Sequence, residues 1–154
     1  MKIGFVGTQR GMTDAQRNVI CELLRGLSGE FHHGDWLGAD LQAHDLAMAL
    51  GLEPVVHPPG DRDLRAFCLA RRIRLPREYA KRSRDIVQET ELLIAAPGEN
   101  AERRRSATWS AVRYAKKVGR PILIVYPEGV FKKFRSLPNE RRSGQKKALG
   151  KGPR

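Results

Sequence analysis

Apolar positions along the chain follow two alternating periods. Short runs with strand character fall at residues 2–6, 30–33, 53–57, 92–96 and 122–126. Between them, residues 13–27 place Val19, Ile20, Leu23, Leu24 and Leu27 at helical spacing. Thr13 is the predicted N-cap, with Gln16 three residues later as in a capping box. Residues 41–50 repeat the helical period, and Gly51 supplies the stop. Helices are also expected over 79–88 and from Ser106 or Thr108 to about Val118. Residues 61–78 show no period and are long for a connection in a compact domain. The order βαβαβ–loop–αβαβ predicts an α/β fold, a three-layer sandwich around a five-stranded, mainly parallel sheet.

The 154 residues suit one hydrophobic core. No apolar run approaches the ~18 residues of a membrane span. The first residues lead straight into a strand and a glycine turn, unlike a signal peptide. The two cysteines, Cys21 and Cys68, lack ligand-type spacing. A cytoplasmic protein without metal or cofactor is therefore expected, with no membrane partner.

The formal charge of +12 is unevenly spread. Residues 130–154 hold nine Lys/Arg and the single acid Glu140. That segment is expected to be a basic tail without stable structure, able to adhere to nucleic acid or simply to solubilise the chain. Residues 1–129 then form the folded domain. Within them a second basic cluster runs from Arg62 to Arg84, with nine Lys/Arg and the acids Asp63 and Glu78.

Two glycine-punctuated turns stand one strand apart. Gly7-Thr8-Gln9-Arg10-Gly11 closes the first strand, and Gly34-Asp35-Trp36-Leu37-Gly38-Ala39-Asp40 joins the second strand to a helix. Turns of this kind leave backbone N–H groups free at a helix start, where the helix dipole also favours an anion. Neither turn is a dinucleotide fingerprint or a P-loop. Asp40 is placed to cap the helix or to bond a ribose hydroxyl, and His44 follows four residues on. His32, His33 and His57 flank strands without ligand-like spacing. Arg82 and Arg84 offer forked donors suited to phosphate. Pro97-Gly98 ends the fourth strand, and Ser106 and Thr108 open the last helix with hydroxyls and N–H groups. All these features feed the carboxyl edge of the sheet, where open α/β folds bind ligands.

Gly7–Arg10, Gly34–Asp40 with Ala43-His44, Arg82–Ile86 and Leu93–Gly98 occur in the order seen in the SLOG superfamily. The chain resembles small stand-alone members of that group over residues 2–127. The resemblance implies a Rossmann-like fold shared with Lonely Guy phosphoribohydrolases and DNA-processing protein A. It implies a nucleotide or phosphorylated ligand held by Gly7, Thr8, Gln9, Arg10, Gly34, Asp35, Gly38, Ala39, Asp40, Arg82, Arg84, Pro97, Gly98, Ser106 and Thr108. It also implies a homodimer formed through helices. Two alternatives come with it, N-glycosidic hydrolysis of nucleoside monophosphates and binding of single-stranded nucleic acid. The Lonely Guy glutamate falls on Ala111, and a three-arginine insertion, Arg103–Arg105, follows Pro97-Gly98. Hydrolysis would need another carboxylate, with Asp35, Asp40 and Glu99 as candidates beside Arg82.

Overall fold

The computed structural model describes residues 1–135. The chain runs β1 (Lys2–Gly7), α1 (Asp14–Arg25), β2 (Glu30–His33), α2 (Ala39–Ala49) and β3 (Glu53–Val56). It continues through a 3-10 turn (Arg62–Leu64), β4 (Arg72–Ile73), α3 (Tyr79–Glu89), β5 (Leu92–Ala96), α4 (Ala107–Lys117), β6 (Ile122–Val125) and β7 (Phe131–Phe134). The sheet order is β4-β3-β2-β1-β5-β6-β7, with all pairings parallel except β6–β7.

The period-2 pattern of the strands sends side chains to two faces. Ile3, Phe5, Phe31 and Ile94 pack under α1 and α2 with Ile20, Leu24, Ala43 and Ala47. Val6, Leu93, Ala95, Ile122 and Ile124 pack under α3 and α4 with Ile86, Val87, Trp109 and Val112. Helices on both faces make the three-layer Rossmann-like sandwich. Strand order reverses between β1 and β5, so the crevice lies beyond Gly7 and Ala96.

Two strands exceed the expected five. β4 sits inside the 61–78 segment and pairs only Arg72 with Val55 and Ile73 with Val56. Both its side chains are exposed, so burial leaves no alternation to read. β7 lies inside the segment expected to be unstructured and pairs antiparallel with β6. Its Phe-Lys-Lys-Phe sequence resembled the charged run that follows. The rest of that segment, 136–154, lies outside the described residues. No helix among the described residues is long and apolar enough to cross a membrane.

The α1 capping box forms as expected: the Gln16 amide donates to Thr13 Oγ1 and the Thr13 amide to Gln16 Oε1, both at 3.0 Å. Gln16 is also buried, and its Nε2 donates to Pro97 O (2.7 Å) and Val125 O (3.0 Å). One side chain thus ties α1 to the carboxyl ends of β5 and β6. Ser106 caps α4, accepting from the Trp109 amide at 3.2 Å. For α2 the cap is Gly38, not Asp40, and it makes no side-chain cap bond.

Candidate functional site

The two glycine turns interlock. The Ala39 amide donates to Thr8 O at 3.0 Å. Gly38 has φ +94° and lies so close to Gln9 that a Cβ would strike the Gln9 carbonyl. Gly38 and Ala39 therefore join the turns rather than face a ligand. Gly34 serves a similar end: a Cβ there would collide with the Arg82 guanidinium and approach Asp40 Oδ2 to 2.9 Å.

Around this junction lie two connected spaces. The wider is an open cleft of about 340 Å³. Gly7, Thr8, Gln9, Arg10, Gly98, Ser106 and Thr108 line it, so seven of the expected ligand residues converge there. Trp36, Glu99, Ala107, Arg103 and Arg105 complete the wall. The α4 N-terminus opens onto this cleft, adding amide donors and dipole to three arginines. Glu99 opposes them. Its Oε2 accepts from Arg10 Nη2 (3.2 Å) and Arg103 Nη1 (3.0 Å), and its Oε1 accepts from Trp109 Nε1 (3.1 Å).

The narrower space is a pocket of about 10 Å³ lined by Gly7, Gly34, Trp36, Asp40, Arg82 and Thr108 among others. That volume admits roughly one water-sized group. Trp36 Nε1, Asp40 Oδ1 and Arg82 Nε are buried here without a hydrogen-bond partner. Buried polar atoms are almost always paired, because an unpaired one costs about 1–3 kcal/mol. Three such atoms belong to residues that line this one pocket.

Arg82 is 3% exposed and held on several sides. Its Nη1 donates to Gly34 O and, at 3.2 Å, to His57 O. Its guanidinium carbon stands 4.7 Å from the Trp36 ring centroid. Burial draws its pKa down, against the raising charges of Asp40 and Asp35. Burial pushes the Asp40 carboxyl up to about 6, against the lowering influence of Arg82 and the Trp36 amide. That amide donates to Asp40 Oδ2 at 3.2 Å.

Other expected residues stand elsewhere. Asp35 is fully buried at φ +57°, accepting from Arg65 Nε (2.8 Å) and the Cys68 amide (2.9 Å). It anchors the 61–68 segment and faces neither space. Pro97 is engaged through its carbonyl by Gln16. Arg84 lies over the Tyr114 ring, 5.2 Å from its centroid, in the groove between α3 and α4. Ala111 lines that groove too, not the Asp40 pocket. His44 pairs with His33 (Nδ1 to Nε2, 2.9 Å) rather than with Asp40. Trp36, Arg103 and Arg105 are additions. Trp36 sat within the flagged turn, but nothing in the sequence set its indole apart from a core aromatic.

Among the described residues, two groups of potential metal ligands assemble from distant elements: His33, His44 and Cys68, and His32, His57 and Glu89. Neither shows in sequence spacing, because each draws on separate strands, helices and loops.

No family model matches the chain, and no curated protein sequence does. Solved structures do. The molybdenum cofactor binding protein of Rippkaea orientalis is similar at TM-score 0.64 and 16% identity, covering 82% of this chain and 77% of that one. The protein TM1055 gives TM-score 0.61 at 16% identity, covering 79% and 72%. DNA processing protein A of Streptococcus pneumoniae gives 0.59 at 18% identity, where the chain spans about half (49%) of that protein and 80% of itself is covered. The resemblance drawn from the sequence thus holds for the fold: the chain shares the Rossmann-like architecture of these proteins.

Proposed function

We propose that the chain binds a nucleotide or a nucleotide-derived phosphorylated molecule at the carboxyl edge of the sheet. The observation that carries this reading is the trio of unpartnered buried atoms beside a basic cleft. Gly7, Trp36, Ala107 and Thr108 line both spaces, so one ligand reaches both. A phosphate meets Thr8, Arg10, Arg103, Arg105 and the α4 amides. A ligand hydroxyl fits the small pocket, donating to Asp40 Oδ1 and accepting from Trp36 Nε1 and Arg82 Nε. A fold shared with a protein named for binding the molybdenum cofactor and with DNA processing protein A agrees with ligand or nucleic-acid binding.

Calorimetric titration with the common nucleoside monophosphates tests this. Arg10 is the residue to change, because it is exposed and Arg82 is integral to the fold. Arg10→Ala is expected to weaken binding roughly tenfold, the equivalent of one charge-assisted contact. Saturable binding that ignores Arg10→Ala and Thr108→Val, or no binding by any of these ligands, would overturn the reading.

A second reading is N-glycosidic hydrolysis at the same place. It is favoured by the placement of Asp40, the carboxylate lining the small pocket, where burial pushes its carboxyl up to about 6, toward the range in which a general acid or base is effective. Release of free base, lost in Asp40→Asn, is its signature. Affinity for single-stranded nucleic acid with a steep salt dependence is the mark of the third reading.

A further inference from the structure

We propose that His32, His57 and Glu89 form a binding site for a divalent transition-metal ion of the zinc class. The three side chains come from β2, the loop after β3 and the last residue of α3. Their candidate donor atoms lie within 4.8 Å of one another. His32 Nδ1 is 2.8 Å from His57 Nε2 and 4.0 Å from Glu89 Oε1. Tetrahedral coordination with Zn–N near 2.0 Å sets donors roughly 3.3 Å apart, and the observed separations fall on either side of that.

The surroundings already orient the ligands. Glu30 Oε1 lies 2.8 Å from His32 Nε2 and holds the ring proton there, leaving the Nδ1 lone pair aimed at His57 and Glu89. A carboxylate on the distal nitrogen of a ligating histidine is the usual outer-shell arrangement. Arg72 holds Glu30 in turn (2.7 Å), and Arg74 donates twice to Glu89 Oε1, fixing that carboxylate. Both imidazoles are buried, 1% and 2% exposed, so the surrounding protein holds the rings in place for a metal. Glu89 is half-buried and leaves an approach from solvent.

In the metal-free chain a proton on His57 Nε2 bridges to His32 Nδ1. On binding, His57 shifts that proton to its own Nδ1, so both facing nitrogens become ligands without a net loss of protons. Two imidazoles and one carboxylate leave a fourth position for water. Arg74 and Arg72 oppose the incoming charge and set a moderate affinity.

The second cluster does not offer this. The Asp35 amide donates to His33 Nδ1 at 3.0 Å, so the His33 proton sits on Nε2 and is given to His44. Burial also pushes the Cys68 thiol up to about 12. That pair is a closed hydrogen bond beside a protonated thiol.

The test is a Co²⁺ titration of the metal-stripped full chain, followed by visible absorption and by displacement with Zn²⁺. A single ion per chain is expected. His57→Asn should abolish binding, Glu89→Gln should weaken it about tenfold or more, and Glu30→Gln about tenfold through His32 orientation. His44→Gln should leave it unchanged. Glu89 is half-buried, so its variant reports even where His57→Asn disturbs folding, which circular dichroism checks. Absence of saturable binding, binding indifferent to Glu89→Gln and His57→Asn, or binding abolished by His44→Gln would each overturn the site. The nucleotide reading is tested separately through Arg10 and Thr108, which take no part in this site, while His57 meets Arg82 through its backbone carbonyl.

Discussion

Asp40→Asn is expected to make the fold more stable and the site less able to bind. Asp40 is 4% exposed, and its carboxyl is pushed from 3.8 up to about 6 by burial, a shift that already contains the attraction of Arg82. A shift of about two units corresponds to about 3 kcal/mol between the charged and neutral forms. The sign follows from linkage. The folded pKa lies above the unfolded one, so the unfolded chain loses its proton first. Stability present below about pH 4 is lost as pH rises through about 6. Asn mimics the neutral acid at every pH and keeps an oxygen for the Trp36 amide. Urea unfolding should therefore show Asp40→Asn ahead of wild type by about 3 kcal/mol near pH 8 and by less than about 1 kcal/mol near pH 4. The same variant should bind nucleoside monophosphates at least about tenfold more weakly, because the pocket loses its only anionic acceptor. Gain of stability with loss of binding is the pattern of a residue kept for function. A difference in stability that is flat with pH, or a wild type more stable than the variant near pH 8, would show that the Asp40 carboxyl is not held protonated by burial.

Three further outcomes are expected. Glu99→Gln frees Arg10 and Arg103 while keeping an oxygen for Trp109 Nε1, so affinity for inorganic phosphate should rise about threefold or more by calorimetry. Gly38→Ala should destabilise the chain by about 1–3 kcal/mol in urea unfolding, because φ is +94° and the Cβ meets the Gln9 carbonyl. Gln16→Leu leaves the Pro97 and Val125 carbonyls unpaired inside the protein and should cost about 2 kcal/mol or more by the same assay.

The fold was legible wherever burial imposed a period. The five central strands and four helices sit within a few residues of the pattern, because each presents an apolar face to a layer of the sandwich. β4 and β7 escaped for the same reason: their side chains are largely exposed, and backbone pairing alone leaves no pattern. At the site, residues that touch the cleft through backbone or turn geometry were readable, as Gly7, Thr8, Gly98 and Ser106 show. Asp35 and Arg84 lie away from the cleft, and this was not legible, because a charged residue near a glycine or helix start looks the same in sequence whether it faces a ligand, a loop or a tyrosine ring. The histidine pairs were invisible, since His32–His57 and His33–His44 arise only once strands and helices are stacked.

Chemical-shift mapping of the isotopically labelled chain titrated with AMP reads out directly whether a nucleotide binds at the carboxyl edge of the sheet. Saturable changes are expected at the amides of Thr8–Arg10, Gly98 and Ala107–Thr108 and at the Trp36 indole N–H, with the α3–α4 groove around Arg84 and Tyr114 unmoved. Changes centred on that groove, with the Trp36 indole still, would contradict binding at that edge.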